Sequence, residues 1–290
     1  MATPFFDDLK VLDTAASKKY GIESKILMEN AAAGVKNLLI QKNLIGKKTL
    51  IVVGSGDNGA DGYALSRMIP NCYLYEALPP KSPLCKLQHQ IAKNLQIPFV
   101  DSVEGFDVVV DAIFGSGLNA AIAGELACLI DALNITSGVK IAVDIPSGVR
   151  AKMQKKETAF RADYTVSMGA LKTSLLSDYA KDIVGEITVC DLGLSYEKYT
   201  DGFAPVGYLL DSDDFCPPIR KSKSSNKGDY GHLAVISGEF SGASVIAANA
   251  ALRLGAGLVS IVSKERVEGG MCVMNKSTFP KGANAVAVGQ

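Results

Sequence analysis

The sequence TLIVVGSGDNGADGYALSR, residues 49–67, joins an apolar run rich in β-branched residues to a glycine-rich turn and then to a helical pattern. An apolar run without polar alternation is typical of a parallel strand that is covered on both faces. The alternation of strand and helix continues along the chain, which indicates parallel pairing through right-handed crossovers. We therefore expect an α/β fold, a Rossmann-like three-layer α/β/α sandwich, over roughly the first 200 residues.

The other elements of this region follow from the same patterns. Helical spacing predicts helices within residues 6–40, with Gly21 and Gly46 as stops. Further strands are predicted over 71–78, 97–100, 106–115, 139–148, 162–169 and 185–193, and further helices over 60–69, 84–95 and 124–136.

The composition changes at residues 211–228, where the chain becomes polar and rich in proline and lysine. Such a stretch is typical of a linker between domains. A new strand–helix–strand pattern follows it, but only about 60 residues remain, and a unit of that size buries little surface. We therefore expect a first domain over 1–208, a linker over 209–226 and the beginning of a larger α/β domain over 227–290.

Composition argues against several functional classes. The 30 Lys and Arg residues balance 30 Asp and Glu residues, so no net positive field is available to hold nucleic acid or an anionic membrane. The N-terminus lacks a secretory signal pattern, and no apolar stretch reaches the ~18 residues of a membrane helix. The six cysteines form no CxxC pair, which favours free, mostly buried thiols in a cytoplasmic protein.

The glycine-rich segment 54–62 contains a G-x-G-x-x-G pattern after a strand, and Glu76 lies near the spacing of a ribose-binding acid. A nicotinamide-dependent dehydrogenase is therefore one interpretation. Against it, Asp57 and Asp61 would repel a pyrophosphate, and neither a Tyr-x-x-x-Lys motif nor a histidine in a strand-end loop is present to steer a hydride. A further interpretation is structural: the glycines close a turn and an aspartate caps the helix.

Two more aspartates end predicted strands. Asp111 opens the segment 111–121, and Asp144 precedes a proline-fixed turn that contains Ser147. Because the carboxyl ends of parallel strands meet at one edge of a sheet, these loops are expected to share a pocket. The oxygen-rich set Asn58, Asp111 and Ser147 suits a hard, monovalent cation. For Lys172, the plain interpretation is a solvated lysine that follows a strand.

Six motifs occur along this region: LMENA (27–31), VVGSGDNGADGYALSR (52–67), VDAIFGSGL (110–118), VDIPSGV (143–149), ADYTVSMGALKTSLL (162–176) and GEITVCDLGL (185–194). In this order they resemble the NAD(P)H-hydrate epimerases, the YjeF N-terminal family, over roughly residues 5–205. One loop departs from the family pattern N-N-G-G-D-G: Asp57 replaces an asparagine and Ala60 a glycine. Ala60 then needs a backbone without positive φ.

The resemblance implies an isomerase that interconverts the R and S forms of hydrated NADH and NADPH (NADHX and NADPHX) in metabolite repair. It also implies a potassium ion on Asn58, Asp111 and Ser147, and a homodimer. We expect Asp144 to be the catalytic acid or base, because it ends a central strand beside the pocket. The expected substrate-binding residues are Asp57, Asn58, Gly59, Ala60, Asp61, Gly115, Ser116, Gly117, Leu118, Asn119, Ala120, Ala121, Asp144 and Ala243.

The second region resembles another family through KGDYGHLAVISG (227–238), SGASVIAANAALRLGAGLVSIV (241–262) and GANAVAVG (282–289). These segments are similar to the opening of the ADP-dependent NAD(P)H-hydrate dehydratases, which have a ribokinase-like fold. The later G-T-G-D loop of that family is absent from these residues. We therefore expect ADP, with Mg²⁺, to serve only a complete dehydratase domain. Alternatives to the epimerase are an NAD-linked oxidoreductase and a non-catalytic binding module.

Overall fold

The computed structural model describes residues 2–7, 10–154, 156–215 and 222–288. It divides the chain into two compact units, one over Ala2–Leu210 and one that begins at Asp211. Residues 216–221 of the predicted linker, together with Cys216, lie outside the described residues. The other five cysteines are free, and Cys72, Cys85 and Cys190 are buried.

The first unit is built on a six-stranded sheet in which every neighbouring pair is parallel. Its strands lie in the order β3-β2-β4-β5-β6-β8. Their bounds are β2 Thr49–Val53, β3 Cys72–Glu76, β4 Val108–Ala112, β5 Val139–Val143, β6 Tyr164–Met168 and β8 Glu186–Cys190. The chain runs outward from β2 to β3 and then returns to β4 on the other side of β2. This reversal creates the crevice in which ligands bind in open α/β sheets.

Helices cover both faces of the sheet, as the apolar strands require. They are α1 Lys10–Tyr20, α2 Ser24–Gln41, α3 Asp57–Ser66, α4 Pro83–Asn94, α5 Glu125–Ile135 and the short α6 Tyr196–Tyr199. Along β2, Ile51 and Val53 pack with α2, α3 and α4, whereas Leu50 and Val52 pack with α5. The predicted three-layer α/β/α sandwich is therefore confirmed.

Two local expectations differ from the structure. Helix α3 begins at Asp57 rather than at residue 60, so that much of the glycine-rich segment is the first turn of the helix. A carboxylate in the first turn interacts favourably with the helix dipole, which accounts for the earlier start. Ala60 is helical and avoids positive φ, as expected. The strand predicted over 97–100 is reduced to a single bridge between Leu74 and Phe99.

A second sheet of three short strands was not predicted. Its central strand is β1, Thr3–Phe6, which pairs in parallel with β7, Leu171–Lys172, and antiparallel with β9, Gly207–Leu209. Strands of two to four residues leave too short a pattern in the sequence to be recognised. The strand that carries Lys172 lies at one edge of this sheet, next to β1 from the N-terminal end of the unit.

The second unit contains the predicted strand, helix and strand as β10 His232–Ile236, α7 Gly242–Arg253 and β11 Leu258–Val262. Two short strands, β12 Met274–Lys276 and β13 Ala285–Ala287, complete a parallel sheet of order β12-β11-β10-β13. Its ribokinase-like assignment stays a prediction. Within the described part of the chain, no helix is both long and apolar enough to cross a membrane.

We predict that Gly62→Val lowers the free energy of unfolding by about 3 kcal/mol, through overpacking. A Cβ at Gly62 would lie 2.7 Å from the Cβ of Ala112 and 2.8 Å from a methyl carbon of Val53, and both neighbours are fixed in buried strands. Valine and glycine have similar helix propensities, so the change reports packing. Urea unfolding followed by circular dichroism measures it.

Gly56→Val is the matched control. Gly56 precedes α3 in an extended conformation with φ −100°, and a Cβ there meets open space. The expected loss is below about 1 kcal/mol, the scale of an altered helix cap. Equal losses in the two variants would contradict the close packing of α3 on the sheet.

Candidate active site

A cavity of about 680 Å³ lies at the carboxyl edge of the six-stranded sheet. Its walls come from the segments that follow β2, β4 and β5, and from α1, α2 and α6. This is the place where the strand order reverses between β2 and β4, and the volume is typical of small-molecule sites. The topology therefore brings the predicted strand-end residues to one concave surface.

Asn58 provides a direct indication that this cavity holds a ligand. Both polar atoms of its amide are buried, and neither has a hydrogen-bond partner among the described residues. A buried polar group without a partner costs free energy. A Cβ at Gly115 would lie 3.3 Å from Asn58 Oδ1 and 2.8 Å from Asp144 Oδ2. The glycine therefore keeps open a space that two polar side chains border.

Asp111 and Ser147 form a buried hydrogen-bonded pair behind the cavity wall. The hydroxyl of Ser147 donates to Asp111 Oδ1 at 2.7 Å, and the backbone N–H of Ser147 donates to Oδ2 at 2.7 Å. Burial raises the pKa of the Asp111 carboxyl to about 6, although these hydrogen bonds lower it in part. Ser147 Oγ also accepts from the backbone N–H of Phe114, at 3.0 Å, and so fixes the segment that lines the cavity.

Asp144 faces the cavity from the end of β5. Its backbone has a φ of 70°, in the left-handed region that residues other than glycine adopt uncommonly, although asparagine and aspartate do so more often than most. Asp144 Oδ2 accepts a hydrogen bond from the backbone N–H of Ser116 at 3.1 Å. Asp144 Oδ1 forms an ion pair with Lys172 Nζ at 2.7 Å. Strained residues of this kind cluster at functional sites, where the surrounding structure holds them in place.

Lys172 is buried, so the interpretation of a solvated lysine is wrong. Its ammonium donates to Ser167 Oγ at 2.9 Å and to the carbonyl of Met168 at 3.2 Å, besides the ion pair with Asp144. The signal that sequence reasoning missed is the pairing of β7 with β1, which buries this position. Lys172 lines the same cavity as Asp144.

Two further groups at the cavity, Asp13 and Tyr199, left no motif in the sequence. Tyr199 on α6 donates its hydroxyl to Asp13 on α1 at 2.8 Å. Burial raises the pKa of the Asp13 carboxyl, and the nearby carboxylate of Asp144 adds to that effect. Burial also raises the pKa of the Asp61 carboxyl well above its usual value, and Asp144 and Asp57 add to it. Among the described residues that line this cavity, Lys172 therefore provides the one ammonium group, beside several acidic groups.

The predicted site residues fall into several groups. Those that line the cavity are Asp57, Asn58, Asp61, Gly115, Ser116, Gly117, Leu118 and Asp144. Gly59 and Ala60 are buried in the first turns of α3, and residues 119–121 follow the cavity-lining segment along the chain. Ala243 belongs to α7 of the second unit. Glu76 is bound elsewhere: it accepts from the hydroxyl of Tyr63 at 2.9 Å.

Two known proteins are similar in sequence to most of this chain. A bifunctional NAD(P)H-hydrate repair enzyme of Helicobacter pylori is 38% identical over 273 residues, which are 90% of this chain and 57% of the relative. An NAD(P)H-hydrate epimerase of Oenococcus oeni is 36% identical over 200 residues, which are 65% of this chain and 92% of the relative. The chain spans about half the length of the bifunctional relatives that it matches.

The family model of the YjeF-related protein N-terminus matches residues 24–174, just over half of the chain. The matched region contains the strands β2 to β7 together with Asn58, Asp144 and Lys172. The resemblance inferred from the six motifs is confirmed by this match and by the two relatives. The chain therefore belongs to the YjeF-related protein N-terminus family.

Proposed function

We propose that the unit Ala2–Leu210 interconverts the R and S forms of NADHX and NADPHX. The observation that carries this proposal is the buried ion pair between Asp144 and Lys172, which lies in the wall of the cavity at the strand-order reversal. The name of the Oenococcus oeni relative, which is matched over 92% of its length, supports the same reaction.

The proposed reaction requires proton transfer and no oxidation. In the hydrate, a hydroxyl group is bonded to C6 of the reduced nicotinamide ring, next to the ring nitrogen. The nitrogen lone pair helps to expel the hydroxyl group once it receives a proton. We propose that Asp144 exchanges that proton, and the position of its carboxyl group in the wall of the cavity supports this role. Lys172 and the N–H of Ser116 fix the orientation of the carboxylate.

The dehydrogenase alternative is not favoured. Its ribose-binding acid would be Glu76, but this carboxylate accepts a hydrogen bond from Tyr63 and lies 3.3 Å from Nε2 of His89. Asp57 and Asp61 lie in the first turns of α3, where a pyrophosphate would need positive potential. These acidic groups suit proton exchange better than they suit binding of a cofactor pyrophosphate at the start of α3.

The candidate cation site fits a potassium ion. The carbonyl oxygen of the Asn58 amide is buried without a partner in the described structure, and Asp111 and Ser147 supply further oxygens. Oxygen donors of low total charge are suited to a hard monovalent cation. Asn58, Asp111 and Ser147 would hold the ion, whose positive charge would offset the buried Asp111 carboxylate and fix the surrounding segments.

The remaining expectations stay proposals. They are the substrate contacts of residues 57–61, 115–121, Asp144 and Ala243, a homodimer, a cytoplasmic location, and the absence of nucleic-acid and membrane partners. The second unit is proposed to be part of an ADP-dependent dehydratase, for which the names of the bifunctional relatives provide support. ADP and Mg²⁺ would serve that complete domain.

We predict that Asp144→Asn lowers the rate of epimerisation about 100-fold or more, the scale of a general acid–base group. The measurement is chromatographic separation of the R and S hydrates after incubation with purified protein. Asp178→Asn, at an exposed position, should retain the normal rate.

Asp144→Asn also leaves the Lys172 ammonium buried without its counter-ion, which costs about 3–5 kcal/mol of stability. The double variant Asp144→Asn with Lys172→Met removes both charges and serves as a second test. It should unfold at a higher temperature than the single variant and remain inactive. A folded double variant with near-normal turnover would refute the role of Asp144.

We predict that potassium chloride raises the Tm of the first unit by about 3 °C or more relative to choline chloride, at a concentration ten times the Kd. The shift should be larger at about pH 7.5 than at about pH 5. Because the pKa of Asp111 is raised to about 6, its stabilising contribution is lost as the pH rises through this value, and a bound cation restores it.

Asp111→Asn should abolish the pH dependence of the potassium effect, whereas Asp101→Asn, at an exposed position, should leave it intact. Calorimetric scans in the two salts provide the measurement. If potassium and choline give the same Tm at both pH values, no potassium ion binds at these residues.

A further inference from the structure

We propose that Asp61 is a second acid–base group, which acts on the face of the substrate ring opposite to Asp144. The inference rests on the proposed epimerase function. It assigns to Asp61 a proton-transfer role, whereas the family resemblance implies only contact with the substrate. The need for such a group follows from stereochemistry: on the route in which the hydroxyl group departs, inversion at C6 has the oxygen leave from one face and return at the other.

The fold places the two carboxyl groups at different walls of one cavity. Asp61 lies on α3, which follows β2, and Asp144 ends β5. Strand β4 lies between β2 and β5, so the two strands are about 10 Å apart. Both side chains line the cavity, and the charge of Asp144 contributes to the raised pKa of the Asp61 carboxyl. A flat ring that enters between these walls would meet one carboxyl group on each face.

Asp144 and Asp61 differ in the hydrogen bonds and ion pairs that their carboxyl groups form. Asp144 has the ammonium of Lys172 at 2.7 Å and accepts a hydrogen bond from the N–H of Ser116. Asp61 has no hydrogen bond or ion pair with any of the described residues. Its neighbour Asn58 has a buried, unpartnered amide, which independently indicates that a ligand occupies this part of the cavity. Burial and the nearby carboxylates raise the pKa of the Asp61 carboxyl well above its usual value, which favours its protonated form.

The proposed step replaces one oxygen at C6 by another on the opposite face of the ring. Asp61 gives its proton to the C6 hydroxyl of one epimer, the C6–O bond breaks with its electron pair on the departing water, and the ring nitrogen lone pair forms a C6=N bond. A second water then attacks C6 from the other face and gives a proton to the Asp144 carboxylate. The nitrogen recovers its lone pair. The enzyme now carries its proton on Asp144 instead of Asp61, and exchange with solvent restores the initial state.

The first experiment compares Asp61→Asn with Asp131→Asn, a matched change on the exposed face of α5. We expect Asp61→Asn to lower kcat about 100-fold or more and to leave the Kd for the hydrate within about threefold. We expect Asp61→Glu to recover part of kcat. A weaker Kd with kcat unchanged would make Asp61 a binding residue only and overturn the proposal.

The second experiment measures the pH dependence of kcat. The wild-type rate should fall at alkaline pH as Asp61 loses its proton, and this alkaline limb should disappear in Asp61→Asn. The ionisable groups that face Asp61 are Asp13 on α1, Asp57 on α3 and Asp144 at the end of β5, with the thiols of Cys85 and Cys190 nearby. Persistence of the alkaline limb in Asp61→Asn would assign it to another group and overturn the proposal.

The outcomes for the two proposals are distinguishable. If the wild-type protein does not interconvert the hydrates, the proposed function itself is wrong. If the wild-type protein is active and Asp61→Asn retains its kcat and its alkaline limb, the epimerase function stands and the role of Asp61 is refuted. Circular dichroism of both variants confirms that a loss of rate does not reflect loss of fold.

Discussion

The buried ion pair between Lys172 and Asp144 imposes a constraint that the rest of the first unit satisfies. Removing one member of a buried pair leaves an uncompensated charge, so both partners must be held in position. Lys172 is fixed by β7, which pairs with β1 and lies against the end of β6. Asp144 is fixed by its left-handed backbone and by the N–H of Ser116. Two different sheets therefore converge on one interaction at the edge of the cavity.

The ion pair lies at one wall of the cavity, and other acidic groups lie at the walls around it. One wall carries an ammonium group and a carboxylate in contact, while the walls formed by α1 and α3 carry Asp13 and Asp61, whose carboxyl pKa values are raised by burial. Among the described residues of this cavity, one ammonium group lies near several carboxyl groups, an arrangement that is suited to hold protons near a neutral ring.

Sequence reasoning reached the parallel sheet because its strands are apolar on both faces and end in glycine or aspartate. It placed Asp111 and Asp144 at the sheet edge for the same reason. It failed for Lys172, because burial of that residue depends on the pairing of β7 with β1, across more than 160 residues of chain. It also failed for Asp13 and Tyr199, whose hydrogen bond joins two helices distant in sequence. Contacts of this kind leave no local periodicity to detect.

The three-stranded sheet has a consequence for how the protein matures on the ribosome. Strand β1 is synthesised first, but its partners β7 and β9 follow only after residues 171 and 207. The central sheet can form from contacts between neighbouring βα units, whereas the strand that carries Lys172 must wait for pairing over most of the unit. Strand β7, which carries Lys172, can therefore pair with β1 only after residues 171–172 have left the exit tunnel, and the three-stranded sheet is complete only when residues 207–209 follow.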